Sequence, residues 1–343
     1  MDRIRYELRA ATRADHEGLL ELAGFLNTVN LPHDAESVRA IVDEAEKSFS
    51  GATTDVRRRK YVFVLRDLQE GRTIGTSMVL GQLGRKDAPY IYLDVRTSEK
   101  YCEELDRYFA HRLLQIGYSF DGPTEIGGLI MHPDYRQSRE RLGVVISYVR
   151  FLWIAMHRGW FRDRLLAELL PPLEADGTSH LWEGLGRRFT GLSYREADLL
   201  SHQSKTFISN LFPDGVIYAS LLSPEAQSVI GKVGAQTRGV EKMLRRVGFR
   251  YAERVDPFDG GPHFVAETDE VLPVKESRER RVEIAKVETS QRMIIAVEHK
   301  EAPWFHAVVG EGGAPDEATV ALSPAIAAHL KVSSGSTVWV LPL

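Results

Sequence analysis

Cysteine is almost missing from this chain of 343 residues: Cys102 is the only one, and a lone thiol closes no internal disulfide and supplies no paired metal ligand. A membrane-length apolar run is missing as well. The longest, 144–156, is broken by Ser147 and Arg150, so no membrane segment is expected. The opening Met1-Asp-Arg-Ile-Arg-Tyr lacks the apolar stretch of a secretory signal, and with the unpaired thiol it points to the cytoplasm. Positive charge is not in excess either: 44 Lys and Arg stand against 48 Asp and Glu, a formal net charge of -4. That excludes general attraction to nucleic acid or an anionic membrane and leaves any anionic ligand to a local patch. No low-complexity tract or short-period repeat occurs, and the charged stretch 276–282 reads as a solvated face or linker.

What is present alternates between strand and helix patterns. Residues 4–9 alternate as a strand, and Thr12 to Asp15 offer helix caps before Leu19, Leu20, Leu22 and Ala23 at helical spacing. A second amphipathic helix is expected over 35–49, then two strands, 61–65 and 73–79, joined across Glu70-Gly71. Further on, 90–95 reads as a strand, 103–114 as a helix and 113–119 as another strand. The segment 164–170 is a buried strand closed by Pro171-Pro172. Residues 181–189 form a compact helix with a glycine near its end and Phe189 entering a strand, and 240–251 repeat the helix-glycine-strand ending at Gly248. Past about 276, four short strand candidates (293–297, 305–309, 318–322, 337–341) lie between Gly, Pro and Ser turns and suggest a small β-rich cap. The expected domains are 1–195, 196–275 and 285–343.

Chemistry concentrates in one stretch. Glu125-Ile-Gly-Gly-Leu-Ile-Met131 reads as a strand, His132 to Gly143 as a turn carrying Arg136, Arg139 and Arg141, and 144–156 as a buried helix. The start of a helix leaves backbone N–H groups unpaired and carries partial positive charge, so a strand, basic turn and helix in this order can hold a diphosphate. An acyl-CoA would fit. The bland alternative is a basic solvated turn before a core helix.

The order of strand, two helices, hairpin, strand, arginine turn, long helix and strand resembles the GNAT family of acyl-CoA-dependent N-acyltransferases. Phe63-Val-Leu-Arg-Asp67, Arg150-Phe151, Ala167-Glu168, Leu181-Trp-Glu, the phrase at 205–208, Ala226-Gln-Ser-Val-Ile-Gly231, Phe258-Asp-Gly-Gly-Pro262 and the closing Val340-Leu-Pro-Leu343 are similar, in order and along nearly the whole chain, to the bacterial arginine N-succinyltransferases. The resemblance implies an α/β, GNAT-like acyltransferase fold with a second α/β domain and a small C-terminal β-rich cap. It implies transfer of an acyl group, succinyl as first guess, from acyl-CoA to the α-amino group of arginine or a related small amine. It also implies a homodimer or pairing with a sister subunit. In that pattern the strand backbone at Leu129, Ile130 and Met131 holds the pantetheine arm. Arg136, Arg139, Arg141, Leu142 and Gly143 receive the diphosphate.

Departures from the pattern fall at chemically sensitive points. A histidine, the family's proposed proton donor, stands in a Val-His-Pro phrase where this chain has Val233-Gly234-Ala235; a family arginine is replaced by Leu170; and of the phosphate motif only Gly143 survives, with Ser138 and Arg141 at its first and fourth positions. A non-catalytic acyl-CoA-binding subunit is therefore the rival expectation. Glu125 is the candidate to take the amine's proton, against a role as a loop cap. Glu168 needs a partner in a buried strand and is the candidate substrate-binding residue, against a structural salt bridge. His180 could replace the absent histidine, with His263 of similar standing, against packed or surface rings. No histidine, cysteine or carboxylate spacing matches a metal motif and none is expected. Ser138, Ser147 and Ser204 lack a nucleophile elbow, so direct transfer is preferred.

Overall fold

The computed structural model describes residues 4–26, 30–174, 176–203, 206–285, 287, 290–313 and 316–343; Ser204 and Lys205, named above, lie outside them. Fifteen strands follow the chain: β1 (Tyr6–Ala10), β2 (Lys60–Asp67), β3 (Arg72–Leu80), β4 (Tyr90–Cys102), β5 (Arg107–Ser119), β6 (Thr124–Met131), β7 (Arg164–Glu168), β8 (Ile217–Tyr218), β9 (Arg250–Val255), β10 (Pro262–Glu267), β11 (Arg278–Ile284), β12 (Gln291–Glu298), β13 (Phe305–Gly313), β14 (Thr319–Leu322) and β15 (Thr337–Pro342). Helices alternate with them in a mixed α/β chain. It divides into two compact units, each of discontinuous segments: 1–81, 124–163 and 268–343 in the first, 82–123 and 164–267 in the second. The expected domains 1–195, 196–275 and 285–343 cut the chain in sequence order instead.

In the first unit, β1, β2, β3 and β6 pair antiparallel in that order. The hairpin expected across Glu70-Gly71 is there, and the helix Ala35–Phe49 has the expected bounds. Its N-cap Asp34 accepts a hydrogen bond from the Ser37 amide at 2.7 Å, and Val38, Ile41, Val42 and Ala45 are buried in one cluster with Leu19, Leu22, Val62 and Val64. The long helix Leu142–Met156 is buried over most of its length, and the Ser77 hydroxyl of β3 donates to its Ile146 carbonyl at 2.7 Å. Strands β12, β15, β11, β14 and β13 each pair with the next, and β12 pairs again with β13 to close a five-stranded ring. Closure leaves those five strands no free edge within the ring. Strand β13 also pairs with β1. The charged stretch 276–282, expected as a solvated face or linker, instead enters this ring as β11. Val282 is the single buried residue of β11, while Arg278, Glu279 and Arg281 are exposed.

In the second unit the order is β7, β10, β9, β4, β5, β8, each pair antiparallel. The helix expected over 103–114 is absent. Strands β4 and β5 make a long hairpin in full register from Tyr90↔Ser119 to Cys102↔Arg107, turning at 103–106 with Asp106 at φ 44°. Its outer half is exposed on both faces, so no apolar alternation marks it. The compact helix expected at 181–189 is two short ones, His180–Gly184 and Gly186–Thr190, and Phe189 ends in the second of them, not in a strand. Gly248, at φ 112°, does end the helix Arg238–Arg246 before β9.

Candidate functional site

Strand β6 carries an irregularity at its centre. Thr76 pairs with Ile130 and Met78 with Gly127, so Gly128 and Leu129 together face the single residue Ser77. Such a bulge interrupts the ladder locally and re-aims the strand, as bulges beside active sites do. Gly128 makes it possible: its φ is +55°, and a Cβ there would stand 2.7 Å from the Met78 side chain. The sequence-expected residues Leu129, Ile130 and Met131 are the bulge and the strand end that follows it. Glu125, at the start of β6, is 8 % exposed, and the Asn30 side-chain amide donates to its Oε1 at 3.2 Å.

Beyond Met131 the chain makes a short 3-10 turn, Pro133–Tyr135. The Arg136 Nε donates back to the Met131 carbonyl at 3.0 Å, the Tyr135 hydroxyl donates to Asp67 at 3.2 Å, and the buried His132 ring packs edge-on against Phe25. Arg136, Arg139 and Arg141 are exposed. Arg141 caps the helix Leu142–Met156 in the left-handed region, φ 54° and ψ 42°, a conformation costly for a residue with a side chain and found often at functional turns. The Leu142 amide reaches the Ser138 hydroxyl only at 3.5 Å, and a Cβ at Gly143 would meet nothing within 4 Å. Strand, basic turn and helix start are thus one continuous feature of the first unit, holding Glu125 and all eight residues expected to hold the cofactor.

One residue here was given no role in the sequence, where it interrupted an apolar run and belonged to the phrase Arg150-Phe151. Arg150, on the helix, is 2 % exposed. Its Nε donates to the Ser147 carbonyl at 3.0 Å, Nη2 to the Ser147 hydroxyl at 2.6 Å, and Nη1 to the Gly127 carbonyl of β6 at 3.3 Å. These partners are neutral oxygens. Burial pulls the guanidinium down to about 9, and it remains a cation at neutral pH.

The second unit holds the other two expected residues, paired with different neighbours. Glu168 ends β7 opposite His263 of β10; its Oε1 is 3.5 Å from His263 Nε2, with the carboxylate 34 % exposed and the ring wholly buried. Tyr90, whose hydroxyl burial pushes well above its ordinary range, sits 2.6 Å from His263 Nδ1. The phenol and Nδ1 share one hydrogen, and the other ring nitrogen, Nε2, faces Glu168. His180 stands instead 2.6 Å from Glu174 Oε1. Gly234, where the resemblance places a histidine, donates its amide to the Leu170 carbonyl at 2.8 Å, and a Cβ there would come 2.6 Å from the Pro171 carbonyl. No side chain fits this loop as it is folded.

Among the described residues, two groups of potential metal-ligand atoms converge within 4.8 Å: Glu7, His306 and His329, and Glu168, Asp256 and His263. Chain separation hid them, since Glu7 and His306 are brought together only by the β1–β13 pairing. In the first group Arg66 holds the other Glu7 oxygen at 3.1 Å, which closes an ion-pair network around that carboxylate.

The model of the arginine N-succinyltransferase beta subunit matches residues 6–273, and that of the same subunit's C-terminal domain matches 278–342. The chain belongs to the arginine N-succinyltransferase family. Among curated relatives of this family, the arginine N-succinyltransferase subunit beta of Pseudomonas aeruginosa is 32 % identical over 98 % of each chain. The arginine N-succinyltransferase of Enterobacter sp. strain 638 is 34 % identical over 79 % of this chain and 78 % of its own. A solved structure, the arginine/ornithine succinyltransferase subunit AI from Pseudomonas aeruginosa, superposes with a TM-score of 0.83 at 26 % identity, covering 99 % of both chains. The family resemblance of the sequence is confirmed along the whole chain.

Proposed function

We propose that this enzyme of the arginine N-succinyltransferase family moves a succinyl group from succinyl-CoA to the α-amino group of arginine, through a GNAT-type site on the first unit. One observation carries the reading: the bulge at Gly128–Leu129 leads into a left-handed, arginine-bearing helix start at Arg141. The cofactor's amide arm would lie along Leu129, Ile130 and Met131. Its diphosphate would rest at Leu142 and Gly143, with Arg136, Arg139 and Arg141 adding charge. No protein-bound acyl intermediate is needed. The ammonium of the acceptor loses a proton, for which Glu125 is the proposed base, the free amine attacks the thioester carbonyl, and the C–S bond breaks as the second amine proton reaches the thiolate. On the second unit, Glu168 beside His263 is a proposed anchor for a cationic ligand group. Gly234 offers no imidazole for that proton, and the two imidazoles proposed in its stead, His180 and His263, belong to the second unit.

The resemblance of the family to a named beta subunit and to a subunit AI supports an assembly of like or sister chains. The reading is tested by incubating the purified protein with succinyl-CoA and arginine and following free thiol. Release that depends on arginine, and falls by about 10²-fold or more in Glu125→Gln, is the expected result. Tight CoA binding without turnover on a panel of amines would instead make the chain a binding subunit.

A further inference from the structure

A guanidinium in the interior is normally matched by a carboxylate, because hydrogen bonds to neutral oxygens do not repay the loss of water around a full charge. Arg150 departs from this. It lies wholly inside the first unit, on the helix that opens at the arginine turn, and donates only to the Ser147 carbonyl, the Ser147 hydroxyl and the Gly127 carbonyl. No carboxylate among the described residues forms an ion pair with it, and burial lowers its pKa. Its third contact reaches Gly127 of β6, one position before the bulge. A buried, oriented cation with no counter-ion among the described residues is suited to receive an anion from a ligand.

We propose that Arg150 is the receptor for the free carboxylate at the far end of the donor's acyl group, so that the donor is the half-thioester of a dicarboxylic acid. The inference rests on the acyl-transfer reading above and adds what that reading lacks, a reason for the acyl chain to be charged. Acetyl and butyryl thioesters bring no anion and leave the guanidinium uncompensated. Succinyl brings one on a two-carbon spacer. The planar fork of arginine also matches a carboxylate in a way that a lysine ammonium does not.

The test compares succinyl-CoA with butyryl-CoA, its uncharged near-isostere, on the full chain and on Arg150→Met and Arg150→Lys. The expected result is a wild-type preference for succinyl-CoA in kcat/KM of about 10²-fold or more, nearly abolished in Arg150→Met and partly kept in Arg150→Lys. Equal losses on both donors, or an unchanged preference, would overturn the proposal. Thermal melting supplies a readout that needs no turnover. Removing a charge buried without a counter-ion should leave Arg150→Met at least as stable as wild type, and succinyl-CoA should raise the wild-type midpoint more than butyryl-CoA does, with the difference gone in the variant. If no donor supports thiol release with arginine, the acyl-transfer reading fails. The melting comparison then still decides on Arg150: equal shifts from the two thioesters reject it, and a selective shift lost in the variant supports it.

Discussion

Gly143 and Gly128 lie on the same feature and make opposite demands. At Gly143 a Cβ would meet open space, while at Gly128 it would press against Met78 from a backbone at φ +55°. Alanine also favours a helix interior over glycine by up to about 1 kcal/mol. Gly143→Ala is therefore expected to melt at or above the wild-type temperature and yet to raise the KM for succinyl-CoA several-fold, because the methyl group would stand where a diphosphate oxygen approaches the amides. Gly128→Ala is expected to lower stability by about 1–2 kcal/mol, from positive φ and crowding together. Melting curves with donor KM values separate the two; a Gly143→Ala variant with unaltered donor KM would move the diphosphate away from this helix start.

At the scale of elements, the turn that ends β2 shows how a single carboxylate fixes local structure. Asp67 is fully buried and accepts from Arg5 Nη2 at 2.9 Å, from the amides of Gln69 and Glu70, and from the Tyr135 hydroxyl of the arginine turn. Burial alone would raise its pKa, but the Arg5 and backbone donors outweigh burial and hold it below the ordinary carboxylate range. A depressed folded-state pKa gives stability that is present above the unfolded value of about 4 and is lost as pH falls through the folded one. Asp67→Asn should cost about 1–3 kcal/mol at pH 7, and the gap to wild type should narrow in denaturant titrations as pH falls below about 4. A gap that is independent of pH would mean that shape, not charge, holds the turn.

Elements with one buried face were readable from the sequence for the same kind of reason. The spacing of Val38, Ile41, Val42 and Ala45 repeats with the helix period, and β2 and β3 flank a turn at Glu70-Gly71. The outer β4–β5 hairpin has no buried face to leave a pattern, and Glu103, Glu104, Leu105 and Arg107 individually suit a helix, so local preference pointed the wrong way until cross-strand pairing decided it. Of the candidate site, the continuous stretch 125–143 could be read because its parts are neighbours in sequence. The Tyr90–His263–Glu168 contact could not, since its members are brought together only by the sheet. Arg150 was visible as a charge in an apolar helix, but nothing in the sequence told whether a carboxylate answered it.

Across the whole molecule, sequence families and contacts divide the chain differently. Family models change over between 273 and 278, a natural place to expect a separable C-terminal piece. Yet Glu7, Leu8 and Arg9 of β1 pair with Val308, Ala307 and His306 of β13, and Phe305 lies against Phe63 and Trp153. A chain ended after Ser277 would lose β11 to β15 together and leave β1 with one side of its backbone unpaired. Such a chain is expected to aggregate or to elute as a large, partly unfolded species, rather than as a compact monomer with wild-type secondary structure by circular dichroism. A well-folded truncated form would show that the sheet does not depend on β13.

The same pairing sets a delay during biosynthesis. Strand β1 leaves the ribosome some three hundred residues before its partner β13, about 15–60 s at ordinary elongation rates. For that interval the nascent polypeptide carries a sticky border at β1, and whatever shields it, a chaperone or a transient neighbour, must let go when the ring of strands holding β13 emerges.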